Sequence, residues 1–280
     1  MRLVVHHVSH YRFETPVRRL VQTHRLTPAD SASQRVLSWE IVTEGATKGA
    51  IYRDGAGDLI ETVSLRGPVD ELVVEVRGEV ETTDLFGVLR DHRESVPPGA
   101  YLRHSRMTRP DSELRALADD TLDGMENDTA LNRAHALARA IAEAITYEPG
   151  LTEPATTGAE ALALGKGVCQ DHAHALIATA LAADIPARYV TGYLQSGPDG
   201  AAHEASHAWA ELHVPGLGWV GFDAANACCP DDRYIRLGSG FDAQDAAPIR
   251  GVLAGGVSET LDVDVSVAVK SQSQSQHQQQ

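Results

Sequence analysis

Two periodicities divide the chain. From Met1 to about Asp84, apolar and polar residues alternate in twos, the spacing of a strand with one buried face. Leu3 to Phe13 is rich in Val, His and Tyr, and Arg35 to Val42 turns on Val36, Leu37, Trp39 and Ile41. Ile51 to Ile60 carries Asp54-Gly55-Ala56-Gly57 between apolar flanks, which predicts two strands around a glycine turn. Glu71 to Val80 places Leu72, Val74, Val76, Gly78 and Val80 on one face and Glu75, Arg77 and Glu79 on the other. Short strands separated by turn signals predict a β-sandwich-like module.

Residues 84–109 read as a connection, broken at Pro97-Pro98-Gly99 and Arg109-Pro110. Helical spacing then takes over. Asp111 or Ser112 caps a helix ending near Gly124, and Asp128 or Thr129 starts another. In the second, Leu131, Ala134, Ala138, Ile141, Ala142 and Ile145 form one apolar face, with His135 at its edge. Thr157 or Gly158 opens a short helix through Leu164 that Gly165 stops. The Ala/Leu-rich run from Ala173 to Ala183 is a further helix. After Pro186 the period returns to two: strands at Ala187–Leu194, Ser206–Val214 and Trp219–Asp223, the last two a hairpin around Pro215-Gly216-Leu217-Gly218. Ser196–Glu204 reads as a polar loop. Leu261, Val263, Val265, Val267 and Val269 alternate with Asp262, Asp264, Ser266 and Ala268, as in an edge strand. Ser271–Gln280 is Ser/Gln low complexity and expected to be disordered. The fold class expected is α+β: a β-rich domain over 1–105, a second domain over 106–270 with a helix packed on an antiparallel sheet, and a tail over 271–280.

Composition narrows the function. A hydrophobic fraction of 42% in 280 residues supports a real core, and aromatics at 5% leave the packing to aliphatic side chains. The formal charge of -15 argues against a nucleic-acid partner, which needs Lys and Arg on phosphates, and against an anionic membrane surface. Arg and His interrupt the apolar residues at the N-terminus, and no run approaches the roughly 18 apolar residues of a spanning helix. Three cysteines, two of them adjacent, do not form a disulfide framework. The expected location is cytoplasmic.

The candidate chemistry lies at Gly165-Lys166-Gly167-Val168-Cys169-Gln170-Asp171. Cys169 falls in the first turn of a helix, where unpaired N–H groups and the positive dipole end favour an anion. A thiol there is a better nucleophile near neutral pH. An isolated cysteine would ordinarily read as a small buried apolar residue. His207 on one hairpin strand and Asp223 at the end of the other change that reading. A thiolate needs a base, and the imidazole needs a third group to fix its tautomer. The sequence leaves open whether their side chains face the same way.

Gly167-Val168-Cys169-x-Asp171, Ser206-His207-Ala208-Trp209-x-Glu211 and Trp219-x-x-Phe222-Asp223 together resemble the transglutaminase-like superfamily of papain-type folds. The likeness is greatest to bacterial two-domain members with a β-rich N-terminal domain. It implies a Cys169, His207, Asp223 triad that attacks amide or ester carbonyls through an acyl-thioester, with hydrolysis favoured over transfer to an amine. Family members often have Asp-Pro-Thr where this chain has Asp223-Ala224-Ala225; the acid is retained. Under this reading the backbone N–H of Cys169 is one oxyanion donor. Possible supporting residues are Asp171, which equally caps its helix or ties down a loop; Trp209, equally core; Glu211, which equally pairs with an arginine such as Arg188; Tyr193, equally packing; and Gln170. The implied partner is a peptide, protein or small amide, with no cofactor.

Two other classes compete. A metal enzyme would draw on Cys169, His172, His174, His203, His207, His213, Cys228 and Cys229, or on His6, His7, His10 and His24, but no ligand spacing is recognisable and no metal is expected. A non-catalytic binding module on the same scaffold is the other alternative.

Overall fold

The computed structural model describes residues 1–195, 206–253 and 258–270. The polar loop and Ser/Gln tail read from the sequence lie outside the described residues, as does His203. The architecture is α+β. The N-terminal part comprises β1 (Arg2–Thr27), β2 (Gln34–Thr43), β3 (Thr47–Arg53) and β4 (Leu59–Thr82). The short strands expected there are two long ones: β1 has 26 residues and β4 has 24. They pair antiparallel over nearly their whole length, with register shifts near Arg12, Val17 and Arg19. Those shifts let one strand keep its apolar face inward past Glu14, Arg18 and Arg19, where the alternation lapses. The sandwich-like expectation is thereby refined: β2 and β3 pair with opposite ends of β4, and all strands share one hydrogen-bonded sheet.

The helical part follows. α1 (Ser112–Leu122) is capped by Asp111, whose carboxylate accepts from the Leu114 N–H at 2.9 Å, and α2 (Ala130–Ala144) by Thr129. After the short β5 (Thr146–Tyr147), α3 (Gly158–Leu164) begins with a reciprocal Thr157–Glu160 capping box. It ends at Gly165 with φ 67°, a conformation glycine adopts without penalty. The equally short β6 (Lys166–Gly167) leads into α4 (Cys169–Ala182). Every residue of α4 from Asp171 to Ala180 is buried, because α1, α2 and α3 enclose one side and a sheet the other. Leu114, Leu137, Ile141, Leu176, Leu212 and Phe222 anchor this core.

That sheet is antiparallel, in the order β10 (Tyr234–Gly240), β7 (Ala187–Leu194), β8 (Ser206–Val214), β9 (Gly218–Phe222). Strands β7 and β8 match their expected bounds, and β10 was not foreseen. The final strands are β11 (Ile249–Leu253) and β12 (Glu259–Val269). Both pair with β1, so residues assigned by sequence to the 106–270 domain complete the N-terminal sheet. The two parts meet where Leu3, Val5 and Val80 pack on Tyr193, Ile235 and Leu237. No helix among the described residues is long and apolar enough to cross a membrane.

Candidate active site

Local constraints fix the start of α4. β5 and β6 pair in parallel, Thr146 opposite Lys166 and Tyr147 opposite Gly167, which ties the end of α2 to the residues before Cys169. The Asp171 carboxylate accepts from the Val168 N–H at 2.8 Å and from the Thr152 hydroxyl at 2.6 Å. A Cβ on Gly167 would lie 2.7–3.0 Å from atoms of the Asp171 side chain, so this close return needs glycine. The His172 ring nitrogens lie 2.9 Å from the carbonyl oxygens of Val168 and Ile145. Cys169 thus opens a helix held from three sides. Its N–H, in the first turn, has no carbonyl four residues back to bind.

His207 lies near the start of β8. Its partner strand β9 pairs Val214 with Gly218 and Ala210 with Phe222. Continuing that register carries Asp223 opposite Trp209, one same-face position from His207. The backbone then turns sharply: Asp223 and Cys228 exchange N–H···O bonds of 2.8 and 3.1 Å. His207 Nε2 lies 2.6 Å from Asp223 Oδ2. The Cys169 thiol is close enough to the ring to act on its charge. The imidazole therefore meets Asp223 directly and feels Cys169 through its charge, so the three residues line one site.

The carboxylate is saturated with donors. Its Oδ2 also accepts from Asn226 Nδ2 and the Tyr234 hydroxyl, each at 2.8 Å. Its Oδ1 accepts from the N–H groups of Ala225 and Asn226, at 3.0 and 3.1 Å. Burial by itself would raise the Asp223 pKa, but these donors and the adjacent imidazole outweigh it and hold the acid below its ordinary value. For His207, burial acts to lower the pKa. Hydrogen bonds and negative charge from Asp223 and Cys169 win, and the imidazole is pushed up to about 10. The ring is held protonated across the neutral range.

Of the possible supporting residues, only Trp209 touches the His207–Asp223 pair. Its ring stacks beside His207, centroids 6.5 Å apart, and meets Tyr234 edge-on at 5.6 Å. Glu211 is buried against Arg188 and Arg236, at 2.7 and 2.9 Å. Burial would raise its pKa, but the two guanidiniums hold it at about 2. Tyr193 points to the other side of the sheet, where its hydroxyl lies 2.7 Å from His7 Nδ1. Gln170 donates its amide to the Pro154 carbonyl at 3.2 Å. Asp171 is the helix-start tie described above.

Asn226 and Tyr234 were missed. Asn226 follows Asp223 by three residues, within reach of an Asx-type turn, and that spacing was a usable signal. Tyr234 had none: it belongs to the unforeseen β10, whose Gly238-Ser239-Gly240 end hides the strand pattern.

The remaining Cys and His residues lie apart. Burial raises the thiols of Cys228 and Cys229, the latter to about 11. Burial pushes His174 down to about 4, and its Nε2 accepts from the Ala243 N–H at 3.1 Å. Among the described residues no three or more His, Cys, Asp or Glu side chains group in a way that could hold a metal ion.

Comparison with known proteins gives a consistent family. Residues 115–224 match the transglutaminase-like superfamily, and residues 3–81 match the bacterial transglutaminase-like N-terminal region. Uncharacterized protein ML0607 of Mycobacterium leprae is 30% identical over 280 residues, spanning 94% of this chain and 96% of that protein. Uncharacterized protein Rv2569c of Mycobacterium tuberculosis is 30% identical over 285 residues, 90% of this chain and 87% of that protein. Among solved structures, a candidate cysteine protease from Cytophaga hutchinsonii has the same fold, with a TM-score of 0.72 and 22% identity over 97% of this chain and 92% of that one.

Proposed function

Because the chain belongs to the transglutaminase-like superfamily, a family of cysteine-dependent hydrolases and acyltransferases, we propose that it is a cysteine hydrolase acting on amide bonds of peptides or related small amides. The observation that carries this reading is the His207–Asp223 pair at 2.6 Å, whose imidazole also feels the charge of Cys169 at the start of α4. The Cys169 sulfur attacks the carbonyl carbon and forms a C–S bond. The carbonyl π electrons move to oxygen, which the Cys169 N–H at the helix start is placed to stabilise. As the tetrahedral species collapses, the imidazolium gives its proton to the leaving nitrogen, and the C–N bond breaks. An acyl-thioester and a neutral imidazole remain. The imidazole then takes a proton from water as the water oxygen attacks. The acid product leaves, and thiolate and imidazolium return. An amine in place of water would give transamidation by the same steps. Asp223 orients the ring and balances its charge without taking a proton.

Two measurements test the proposal. Iodoacetamide should label Cys169 at pH 7 at least about tenfold faster than Cys228 or Cys229, whose raised thiols are un-ionised there. Incubation with a peptide and amide library should leave an acyl mass on Cys169, and Cys169→Ala should abolish it. Uniform slow labelling with no adduct would instead favour the non-catalytic binding module.

A further inference from the structure

The sheet β10–β7–β8–β9 rests one face on α4. Its other face, which carries His207, meets the Asp58 turn before β4 and Glu94 of the 84–101 connection. Charge is buried there. Arg188, Glu211 and Arg236 are all enclosed, Arg188 with no exposure at all. Register sets Arg236 opposite Gly192, and Gly192 opposite His207. Facing residues in a sheet share a side, so Arg236 and His207 flank a residue without a side chain on one surface. The Trp209 ring fills the gap: a Cβ on Gly192 would come within 2.7 Å of it.

The strands of this sheet cannot balance themselves. Glu211 serves both Arg188 and Arg236 and leaves one guanidinium uncompensated. The other carboxylates come from outside. Glu94 of the connection accepts from Arg188 Nη1 at 2.9 Å. Asp58, fully buried just before β4, accepts from Arg236 Nη1 at 2.8 Å with one oxygen and from the Ser239 N–H at 2.6 Å with the other. Arg25 lies 3.6 Å from Asp58 and pairs with Asp54 at the rim. The His92 ring faces the same cluster, its Nε2 donating to the Ala56 carbonyl at 2.6 Å. Gln34 then clamps the Arg236 backbone, its amide donating to the carbonyl and its oxygen accepting from the N–H, both at 2.8 Å. A buried charge stripped of its partner is strongly unfavourable.

We propose that Asp58 is a positioning residue for the catalytic site: by neutralising Arg236 from the N-terminal sheet it holds the strand face that carries His207, Trp209 and Tyr234. This deepens the triad reading and rests on it. It also gives the N-terminal sheet a task. The sheet is a required part of the catalytic unit, because it supplies the counter-charge the core lacks.

The test uses the full chain and iodoacetate, an anionic reagent that meets the thiolate readily only while the imidazolium beside it is charged. Carboxymethylation of Cys169 is followed by peptide mapping from pH 5 to 11, with thermal melting in parallel. If wild-type Cys169 reacts no faster at pH 7 than Cys228 and Cys229, the triad reading fails, and this inference with it. With a reactive wild type, Asp58→Asn should slow Cys169 about tenfold at pH 7 and move the alkaline fall-off down by about one pH unit, because an under-neutralised Arg236 disfavours a second cation on the same face. The double variant Asp58→Asn/Arg236→Gln removes both charges and should restore rate and profile to within about threefold of wild type. A merely structural role would lower the melting temperature without moving the fall-off. An Asp58→Asn protein with the wild-type profile overturns the proposal. So does a double variant that is as slow as the single one or does not fold, whether or not Asp58→Asn alone accumulates.

Discussion

Asp223 accepts from both a charged ring and four neutral donors, and that decides how the pair responds to pH. His207 is held well above its unfolded value of 6.5, up to about 10. The stability it contributes is therefore fully present below about pH 6.5 and lost as pH rises through about 10. Asp223, held below its ordinary value, contributes stability above about pH 4 that is lost as pH falls. Asp223→Asn should cost roughly 3–5 kcal/mol at pH 7, since it strands a buried charge. The deficit should shrink above pH 10, where the wild-type ring has also lost its proton. Urea unfolding of both proteins at pH 7 and 10.5 measures this, and equal deficits at the two pH values would refute the assignment. The residue types Cys, His and Asp were legible in their motifs. The donors that saturate Asp223 were not: Tyr234 arrives from a strand three positions across the sheet from the β9 end that Asp223 extends.

Element by element, legibility follows the range of the forces involved. Caps at Asp111, Thr129 and Thr157 and the stop at Gly165 were readable because each satisfies backbone groups within about four residues. Strands β7 and β8 were readable because their pattern is local. β1 and β4 were read too short, since a bulge and a long partner can carry a strand through residues that look like turns. The same distinction separates two substitutions. Thr157→Ala removes a cap far from the thiol and should cost about 1 kcal/mol with Cys169 labelling unchanged. Gly167→Ala should destabilise at least as much and also slow labelling severalfold, because the new methyl displaces the carboxylate that ties down the start of α4. Melting curves and iodoacetamide rates on the two variants check the contrast. A Gly167→Ala protein with the wild-type labelling rate would show that the Asp171 tie does not govern the nucleophile.

For the molecule as a whole, acid is the weak side. His7, His24 and His174 are buried, and burial pushes each down to about 4. Their folded values lie below the unfolded one, so the stability they hold is present above about pH 6.5 and lost as pH falls toward 4. Each adds a slope of about 1.4 kcal/mol per pH unit between those limits. His7→Gln should flatten the profile by one such increment, at the cost of the His7–Tyr193 contact that joins the two sheets. Denaturant melts from pH 4 to 7 measure it; an unchanged slope would mean His7 is not titrating. The sequence alone determined the α+β class, the helix ends, the central hairpin and the three reactive residue types, because period, caps and short motifs act over a few residues. Only the tertiary structure decided that β11 and β12 close the N-terminal sheet, that Glu211 serves buried arginines, and that Asp58 answers Arg236. These are matters of charge and backbone pairing between segments as far apart as Leu3 and Val269, where no local pattern records the partner.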